Sequence, residues 1–122
     1  MKTNSKNIVA NKSYSFALRS IKLYKYLSEE KKEYVLSKQI LRSGTAIGAL
    51  VKEAEQAESK ADFIHKLSIS LKEANETEFW LSLLKDSNYI TCNQYDSIQP
   101  ELGELNRLLI SIIKTAKSRN NS

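Results

Sequence analysis

The stretch YDSIQPELGELNRLLISIIKTA, residues 95–116, has the clearest pattern in the chain. Apolar residues recur in it at alternating spacings of three and four, which is typical of the seam of a helix that packs against other helices. The single proline, Pro100, interrupts this seam, so we expect a kink or a broken first segment near residues 97–101. The seam consists of Tyr95, Ile98, Leu102, Leu105, Leu109, Ile112 and Ala116.

The rest of the 122-residue chain is also suited to helices. It contains only three glycines and one proline, too few turn formers for an all-β fold. A chain of this length forms one domain by default. We therefore treat residues 1–122 as a single domain, with frayed ends at about residues 1–6 and 118–122.

Capping signals divide the chain into amphipathic helices. Ser59 with Asp62, and Thr91 with Gln94, match the pairs of residues that satisfy the first N–H groups of a helix. Four helices joined by short loops predict an all-α fold, an antiparallel up-down-up-down four-helix bundle. The first three helices are expected at about residues 7–28, 33–57 and 59–86, and the fourth follows Thr91.

The first predicted helix has apolar residues on two sides of a polar strip. A helix with this pattern can pack inside its own domain and also against a neighbour, which is a first indication of a homo-oligomer. One apolar stripe is Tyr14, Ala17, Leu18, Ile21 and Tyr24, and the other is Phe16, Leu23 and Leu27. The polar strip between them is Lys12, Ser15, Arg19, Lys22 and Tyr26.

The excess positive charge of the chain lies in its first half. Residues 1–58 carry 11 Lys/Arg against 6 Glu, whereas residues 59–122 carry 8 Lys/Arg against 8 Asp/Glu. Cations interleaved with tyrosines suit a nucleic acid, because phosphates bind the cations and bases stack on the rings. An ordinary solvated face, with the tyrosines in the core, is the alternative. The candidate nucleic-acid contacts are Lys12, Arg19, Lys22, Lys25 and Lys38, near Arg42 and with Tyr14, Tyr24, Tyr26 and Tyr34 close in sequence.

The stretch QILRSGTAIGAL, residues 39–50, places two glycines one helical turn apart. Each glycine inside a helix costs roughly 1 kcal/mol relative to alanine, so Gly44 and Gly48 should serve a purpose there. Together with Ala46 and Ala49 they leave a flat strip that another backbone can approach closely. The approaching backbone belongs either to a helix of the same bundle or to a neighbouring subunit or RNA.

No catalytic or metal-binding pattern is present in the sequence. His65 is the only histidine and is expected at the surface or at the edge of the apolar face, so a nucleophile–histidine triad has no support. A Glu-x-x-His metal pair and a glycine-rich phosphate loop are also missing. We therefore expect a protein that is not an enzyme and holds no cofactor or metal.

The compartment is expected to be the cytoplasm. Cys92 is the only cysteine, so an internal disulfide is excluded. No apolar run approaches the roughly 18 residues that span a bilayer, and residues 1–13 lack the apolar block of a signal peptide. We expect no membrane contact.

Two segments resemble a known family. RSGTAIGALVKEAEQA at residues 42–57 and DFIHKLSISLKEANETEFWLSLL at residues 62–84 are similar to the bacterial four-helix bundle proteins first noticed as reading frames in intervening sequences of 23S ribosomal RNA. Residues 22–44 also resemble that family. The positions that match its pattern are Arg42, Glu53, Asp62, Phe63 and Glu78, whereas Leu50 and Ala54 stand where asparagine and glycine are usual.

The resemblance implies an assembly and a class of partner. Members of the family are similar to the accessory protein of diversity-generating retroelements, a homopentamer that engages nucleic acid and a reverse transcriptase. It therefore implies a homo-oligomer, expected to be a pentamer, that contacts structured RNA or a reverse-transcriptase-like or ribonucleoprotein partner. A protein–protein interaction scaffold that binds no nucleic acid is the alternative.

Glu78 is expected to need a cation. It falls on the same stripe as Leu71, Ala74 and Leu81, where an unpaired carboxylate would be costly to bury. Arg42 is the expected partner, in a structural bridge between the second and third helices.

Overall fold

The computed structural model describes residues 5–120, which form four helices. Each helix packs against two others, in the cyclic order α1–α2–α3–α4, and α1 contacts α4 least. The polar contacts join early residues of one helix to late residues of the next, for example Ser43 to Thr77 and Glu53 to Lys66, so neighbouring helices are antiparallel. The predicted all-α four-helix bundle is confirmed. The helices are α1 (Ser5–Glu29), α2 (Leu36–Glu55), α3 (Lys60–Asp86) and α4 (Cys92–Asn120).

The predicted capping residues begin α3 and α4. The Asp62 backbone N–H donates to the Ser59 hydroxyl at 3.0 Å. Before α4 the pair is reciprocal: the Gln94 N–H donates to Thr91 Oγ1 at 3.1 Å, and the Thr91 N–H donates to Gln94 Oε1 at 2.8 Å. Both pairs satisfy N–H groups that have no partner within the helix.

Helix α2 begins at Leu36, later than the expected residue 33, because Glu33 caps it instead of joining it. The Glu33 carboxylate accepts from the N–H groups of Leu36 at 2.9 Å and Ser37 at 2.7 Å. Glu33 is buried, and the first-turn N–H groups and the helix dipole offset the cost of burying its charge. No Ser, Thr, Asp or Asn marks this start, so the sequence pattern placed it too early.

The core contains the predicted seam of α4. Ile98, Leu102, Leu105, Leu109, Ile112 and Ala116 are buried, and Tyr95 packs against the core from its edge. Of the two alternatives expected near Pro100, a kink or a broken segment, the broken segment is wrong, since α4 is continuous from Cys92 to Asn120. Pro100 is exposed, so its ring does not displace the seam. The frayed ends expected at residues 1–6 and 118–122 fall partly outside the described residues.

The two stripes of α1 have different environments. Phe16 and Leu27 of one stripe are fully buried. In the other stripe Tyr14, Leu18 and Ile21 are 67%, 51% and 38% exposed. This second stripe therefore lies outside the core of the single chain. Within residues 5–120, no helix is long and apolar enough to cross a membrane.

Candidate nucleic-acid interface

The polar strip of α1 lies against α4, and this contact engages two of the predicted RNA-binding cations. Arg19 donates through Nη1 to the Ser97 carbonyl at 2.9 Å and through Nη2 to the Ser97 hydroxyl at 3.0 Å, and it forms an ion pair with Glu101. Lys12 Nζ lies 3.1 Å from Glu104 Oε1. Arg19 and Lys12 therefore attach α1 to α4, a role that the sequence pattern did not indicate.

Three other predicted cations are exposed: Lys22, Lys25 and Lys38. Among the side chains that the structure describes, no carboxylate forms an ion pair with any of them. Lys31 and Lys32 lie between them in the α1–α2 connection and are also exposed. We refer to these five residues, Lys22, Lys25, Lys31, Lys32 and Lys38, as the lysine cluster.

The carboxylates near the lysine cluster compensate only part of its charge. Residues 22–38 contain five lysines and three glutamates. One of these, Glu33, directs both carboxylate oxygens to backbone N–H groups of α2, so it is not directed to solvent. Glu29 and Glu30 remain exposed. The end of the bundle formed by α1 and α2 thus carries a net positive charge that faces solvent.

A groove runs beside the lysine cluster, where α1 and α4 are in sparse contact. Lys22 and Arg19 form its charged rim. Tyr26 adds a half-buried ring, and Lys31 Nζ lies 6.0 Å from the centroid of that ring. Leu23 and Ile98 supply an apolar floor. Cations beside a ring and an apolar floor suit a single nucleotide unit of an RNA chain.

The tyrosines close in sequence to the candidate cations differ in exposure. Tyr14 is 67% exposed and Tyr34 is 54% exposed. Tyr24 and Tyr26 are half-buried. The rings of Tyr14 and Tyr34 therefore lie outside the core, whereas Tyr26 packs against it.

The two glycines lie in the contact between α1 and α2. A Cβ atom added at Gly44 would collide with the Ser20 hydroxyl and come within 2.8 Å of Ser20 Cβ. A Cβ added at Gly48 would lie 3.1 Å from the Ser13 carbonyl oxygen. The close approach therefore occurs inside the bundle, which is the first of the two alternatives considered for these residues.

The expected bridge between Arg42 and Glu78 is wrong. Arg42 pairs with Glu73, at 3.1 Å from Nη1 to Oε1, and with Glu76. Desolvation lowers the pKa of Arg42, but the hydrogen bonds to Glu76 and Glu73 outweigh it, so the pKa of the guanidinium is raised overall. Residues two apart do not share a helix face, so Glu78 points away from the side of α3 that carries Glu76.

Glu78 instead joins α3 to α4. Its carboxylate accepts hydrogen bonds from the Tyr95 hydroxyl at 2.8 Å and the Gln99 amide at 3.0 Å. Glu78 is half-buried, so neutral donors and partial solvent contact replace the cation that the sequence pattern led us to expect.

The remaining candidates lie on the surface. Glu53 pairs with Lys66 at 3.3 Å, with its side chain 55% exposed. His65 and Cys92 are exposed. Within the described part of the chain, no group of three or more His, Cys, Asp or Glu side chains could hold a metal ion.

Comparison with known proteins gives a family match and a structural match. The family model described as "23S rRNA-intervening sequence protein" matches residues 5–111. A solved structure of a protein with unknown function, from the S23 ribosomal protein family of Bacteroides thetaiotaomicron, shares 61% sequence identity and a TM-score of 0.90. The match covers 91% of this chain and 99% of that one. A search of curated proteins gives no match.

The matched region contains most of the features described above. It begins with α1 and includes the lysine cluster, the Gly44 and Gly48 contact, and Glu78 with its partners on α4. It also covers more than half of the chain. The chain therefore belongs to the 23S rRNA-intervening sequence protein family.

Proposed function

We propose that this protein is a non-catalytic, homo-oligomeric helical bundle that binds structured RNA, alone or within a ribonucleoprotein, through the lysine cluster. The single observation that carries the proposal is the exposure of Lys22, Lys25 and Lys38 without an ion-pair partner among the described side chains. The family description, which refers to 23S ribosomal RNA, favours RNA over other polyanions.

Oligomerisation would strengthen this attraction. Each chain carries a net charge of +5, so a pentamer would carry about +25. The clusters of adjacent subunits would then present several phosphate sites to one RNA. Because each phosphate contact releases counterions, the logarithm of the affinity for RNA should fall linearly with the logarithm of the salt concentration. The partner is expected to be an RNA with bulges or loops, whose bases can leave the stack and contact rings such as Tyr26.

The test is RNA binding by a charge-reversed variant. We would measure fluorescence anisotropy of a labelled RNA stem-loop with an internal bulge, at several salt concentrations. The variant Lys22→Glu with Lys38→Glu should bind at least about tenfold more weakly than the parent and show a shallower salt dependence. Arg19 is unsuitable for this purpose because its reversal would also break the α1–α4 contact.

The matched control is Lys60→Glu with Lys114→Glu. Both lysines are exposed and lie outside the lysine cluster, and the change in net charge is the same. If this control loses RNA binding as much as the test variant does, net charge rather than the cluster governs binding. If the affinity of the parent protein for RNA does not change between about 50 and 200 mM salt, the proposal of a phosphate-dominated contact is wrong.

A protein-interaction scaffold is the second candidate. The observation that favours it is the exposure of large apolar side chains on α1 and α3, including Tyr14 and Phe79 at 67% and 56%. In that case the lysines would serve solubility, and the Lys22 and Lys38 variant would keep its protein partner. Failure of the parent to bind RNA, together with capture of a protein partner that survives this charge reversal, would favour the scaffold.

A further inference from the structure

Two outward faces of the bundle carry apolar side chains. On α1, Tyr14, Leu18 and Ile21 are exposed, and Lys25 continues the same stripe at spacings of four, three and four. We call this stripe the α1 face. It differs from the buried stripe of Phe16 and Leu27, which contributes to the core.

The second face lies on α3. Phe79 and Leu83 are 56% and 38% exposed. They belong to a stripe with spacings of four, three, four and three, which is a heptad pattern separate from the core seam of α4. We call it the α3 face, and it consists of Lys72, Glu76, Phe79, Leu83 and Asp86.

The two faces point in different directions. Each helix packs against its two neighbours in the cyclic order, and α1 and α3 occupy opposite corners of the bundle. The α1 face and the α3 face of one chain are therefore too far apart to cover each other. Two different faces on opposite sides suit head-to-tail contacts between copies, which close into a ring when the rotation allows it.

Their charges are complementary. The α1 face ends in Lys25, and the neighbouring surface of α2 adds Lys38 and Lys52 against Glu55. The α3 face ends in the exposed Asp86, whereas its Glu76 is already paired with Arg42 of the same chain. Two α1 faces would therefore repel each other, whereas the Lys25 end of an α1 face and the Asp86 end of an α3 face attract.

The spacings also match in register. If α1 of one copy lies parallel to α3 of another with Leu18 opposite Phe79, then Lys25 lies opposite Asp86, because each is seven residues further along its helix. A shallow groove beside Tyr14, lined by Ala17, Thr45 and Ala49, gives room for large side chains at this contact. Apolar contact and charge pairing thus coincide in a single alignment.

We propose that the α1 face of one chain binds the α3 face of a second copy, and that this head-to-tail contact builds the oligomer. The inference rests on the homo-oligomer of the proposed function and adds the two surfaces that form it. It places the apolar residues Tyr14, Leu18, Ile21, Phe79 and Leu83 in contacts between subunits. Lys25 then pairs with Asp86 of the second copy, which leaves Lys22, Lys31, Lys32 and Lys38 of the lysine cluster for RNA.

The experiment uses two variants, Leu18→Asp and Phe79→Asp, each with one face disrupted. Native mass spectrometry should show a multimer for the parent and a monomer for each variant alone. An equal mixture of the two variants should form a heterodimer and nothing larger. Only one intact α1 face and one intact α3 face can then meet, and the other two faces of that dimer both carry aspartate.

The control is Ile110→Asp, which places the same charge on α4. Ile110 is 49% exposed and belongs to neither face, so this variant should keep the parent multimer. Circular dichroism melting verifies that all three variants are folded. If folded Phe79→Asp alone keeps the parent multimer, or the mixture of folded variants stays monomeric, the assigned contact is wrong. A monomeric parent would also overturn the homo-oligomer of the proposed function, and RNA binding is scored separately by anisotropy.

Discussion

Helices α2 and α4 are attached to the bundle by different kinds of side chain. Helix α2 meets its neighbours through small residues: Gly44 lies against Ser20, and the Thr77 hydroxyl donates to the Ser43 hydroxyl at 2.9 Å. Helix α4 combines a buried leucine seam with long polar side chains at its edges. Those edge contacts include Arg19 with Ser97 and Glu101, Lys12 with Glu104, and Glu78 with Tyr95 and Gln99.

The difference shows how side-chain length sets the separation of helices. Glycine and serine allow close backbone approach, and the Ser70 hydroxyl reaches the Ile47 carbonyl directly at 2.9 Å. Arginine and glutamate hold α1 and α4 further apart, with both side chains of the Arg19–Glu101 pair more than one third exposed. We expect substitutions at the α2 contacts to act through steric overlap and those at the α4 contacts through lost polar interactions.

The largest effect is expected for Gly44→Val, which tests the α2 side of the comparison. Its Cβ collides with the Ser20 side chain, and the added methyl groups have no free space in the closely packed contact. The free energy of unfolding should fall by roughly 3 kcal/mol, the upper part of the range for overpacked sites. Urea denaturation monitored by circular dichroism measures this change.

Gly103→Ala is the matched control for Gly44→Val. A Cβ at Gly103 meets only the flexible ends of Arg107 at 3.5 Å and Gln99 at 3.7 Å. This variant should gain up to about 1 kcal/mol from helix propensity. Equal stability of Gly44→Val and the parent would show that the α1–α2 contact relaxes without cost. Steric overlap would then not distinguish the α2 contacts from the α4 contacts.

The next effect is expected for Glu78→Ala, on the α3–α4 contact. The variant removes the acceptor of the hydrogen bonds from Tyr95 and Gln99, at a cost of roughly 2 kcal/mol for two half-buried donors. Urea denaturation gives the change in the free energy of unfolding. A double-mutant cycle with Arg42→Ala should give a coupling energy near zero, since Arg42 pairs with Glu73 and Glu76. A large coupling energy would instead indicate that Arg42 and Glu78 form the ion pair expected from the sequence.

A smaller effect is expected for Arg19→Met, on the α1–α4 contact. Methionine keeps the aliphatic stem but loses the ion pair with Glu101 and the hydrogen bonds to Ser97. We expect a loss of about 1 kcal/mol, discounted for solvent exposure. The loss should decrease in high salt, because screening weakens the ion pair in the parent. A salt-independent loss, measured by the same urea titration, would indicate a packing role for Arg19.

The architecture was predictable from short-range patterns. The three-four seam of α4 identified its buried face, and the pairs Ser59 with Asp62 and Thr91 with Gln94 located two helix starts. Such signals depend on residues within one or two turns of each other, so a single sequence contains them. The two stripes of α1 were also visible in the sequence, although the spacing did not indicate which of them is buried.

The polar contacts between helices were not predictable in the same way. Whether Arg42 reaches Glu76 or Glu78 depends on the rotation of α3 about its axis, which residue spacing along α2 does not determine. For the same reason the α1 strip suggested RNA contacts for Lys12 and Arg19, although glutamates of α4 lie within reach of both. The lysine cluster differs because no such partner from α3 or α4 pairs with it in the described structure.

The smallest effect concerns Tyr95, and it appears only at alkaline pH. Burial raises the pKa of Tyr95 above its ordinary value of 10.0. A hydrogen bond with Ser82 opposes this shift, and the hydrogen bond to Glu78 and the charges of Glu78 and Asp96 add to it. The unfolded state therefore ionises this tyrosine at a lower pH than the folded state. The stability that its protonated hydroxyl contributes is fully present below about pH 10 and is lost as pH rises through the folded pKa.

The difference in the free energy of unfolding between the parent and Tyr95→Phe should accordingly decrease above pH 10, as measured by urea denaturation from pH 8 upward. Tyr34→Phe, which makes the same substitution at a tyrosine that is 54% exposed, is the control. A difference for Tyr95→Phe that stays constant across this range would mean that the burial of Tyr95 and its contact with Glu78 do not raise the pKa of the phenol.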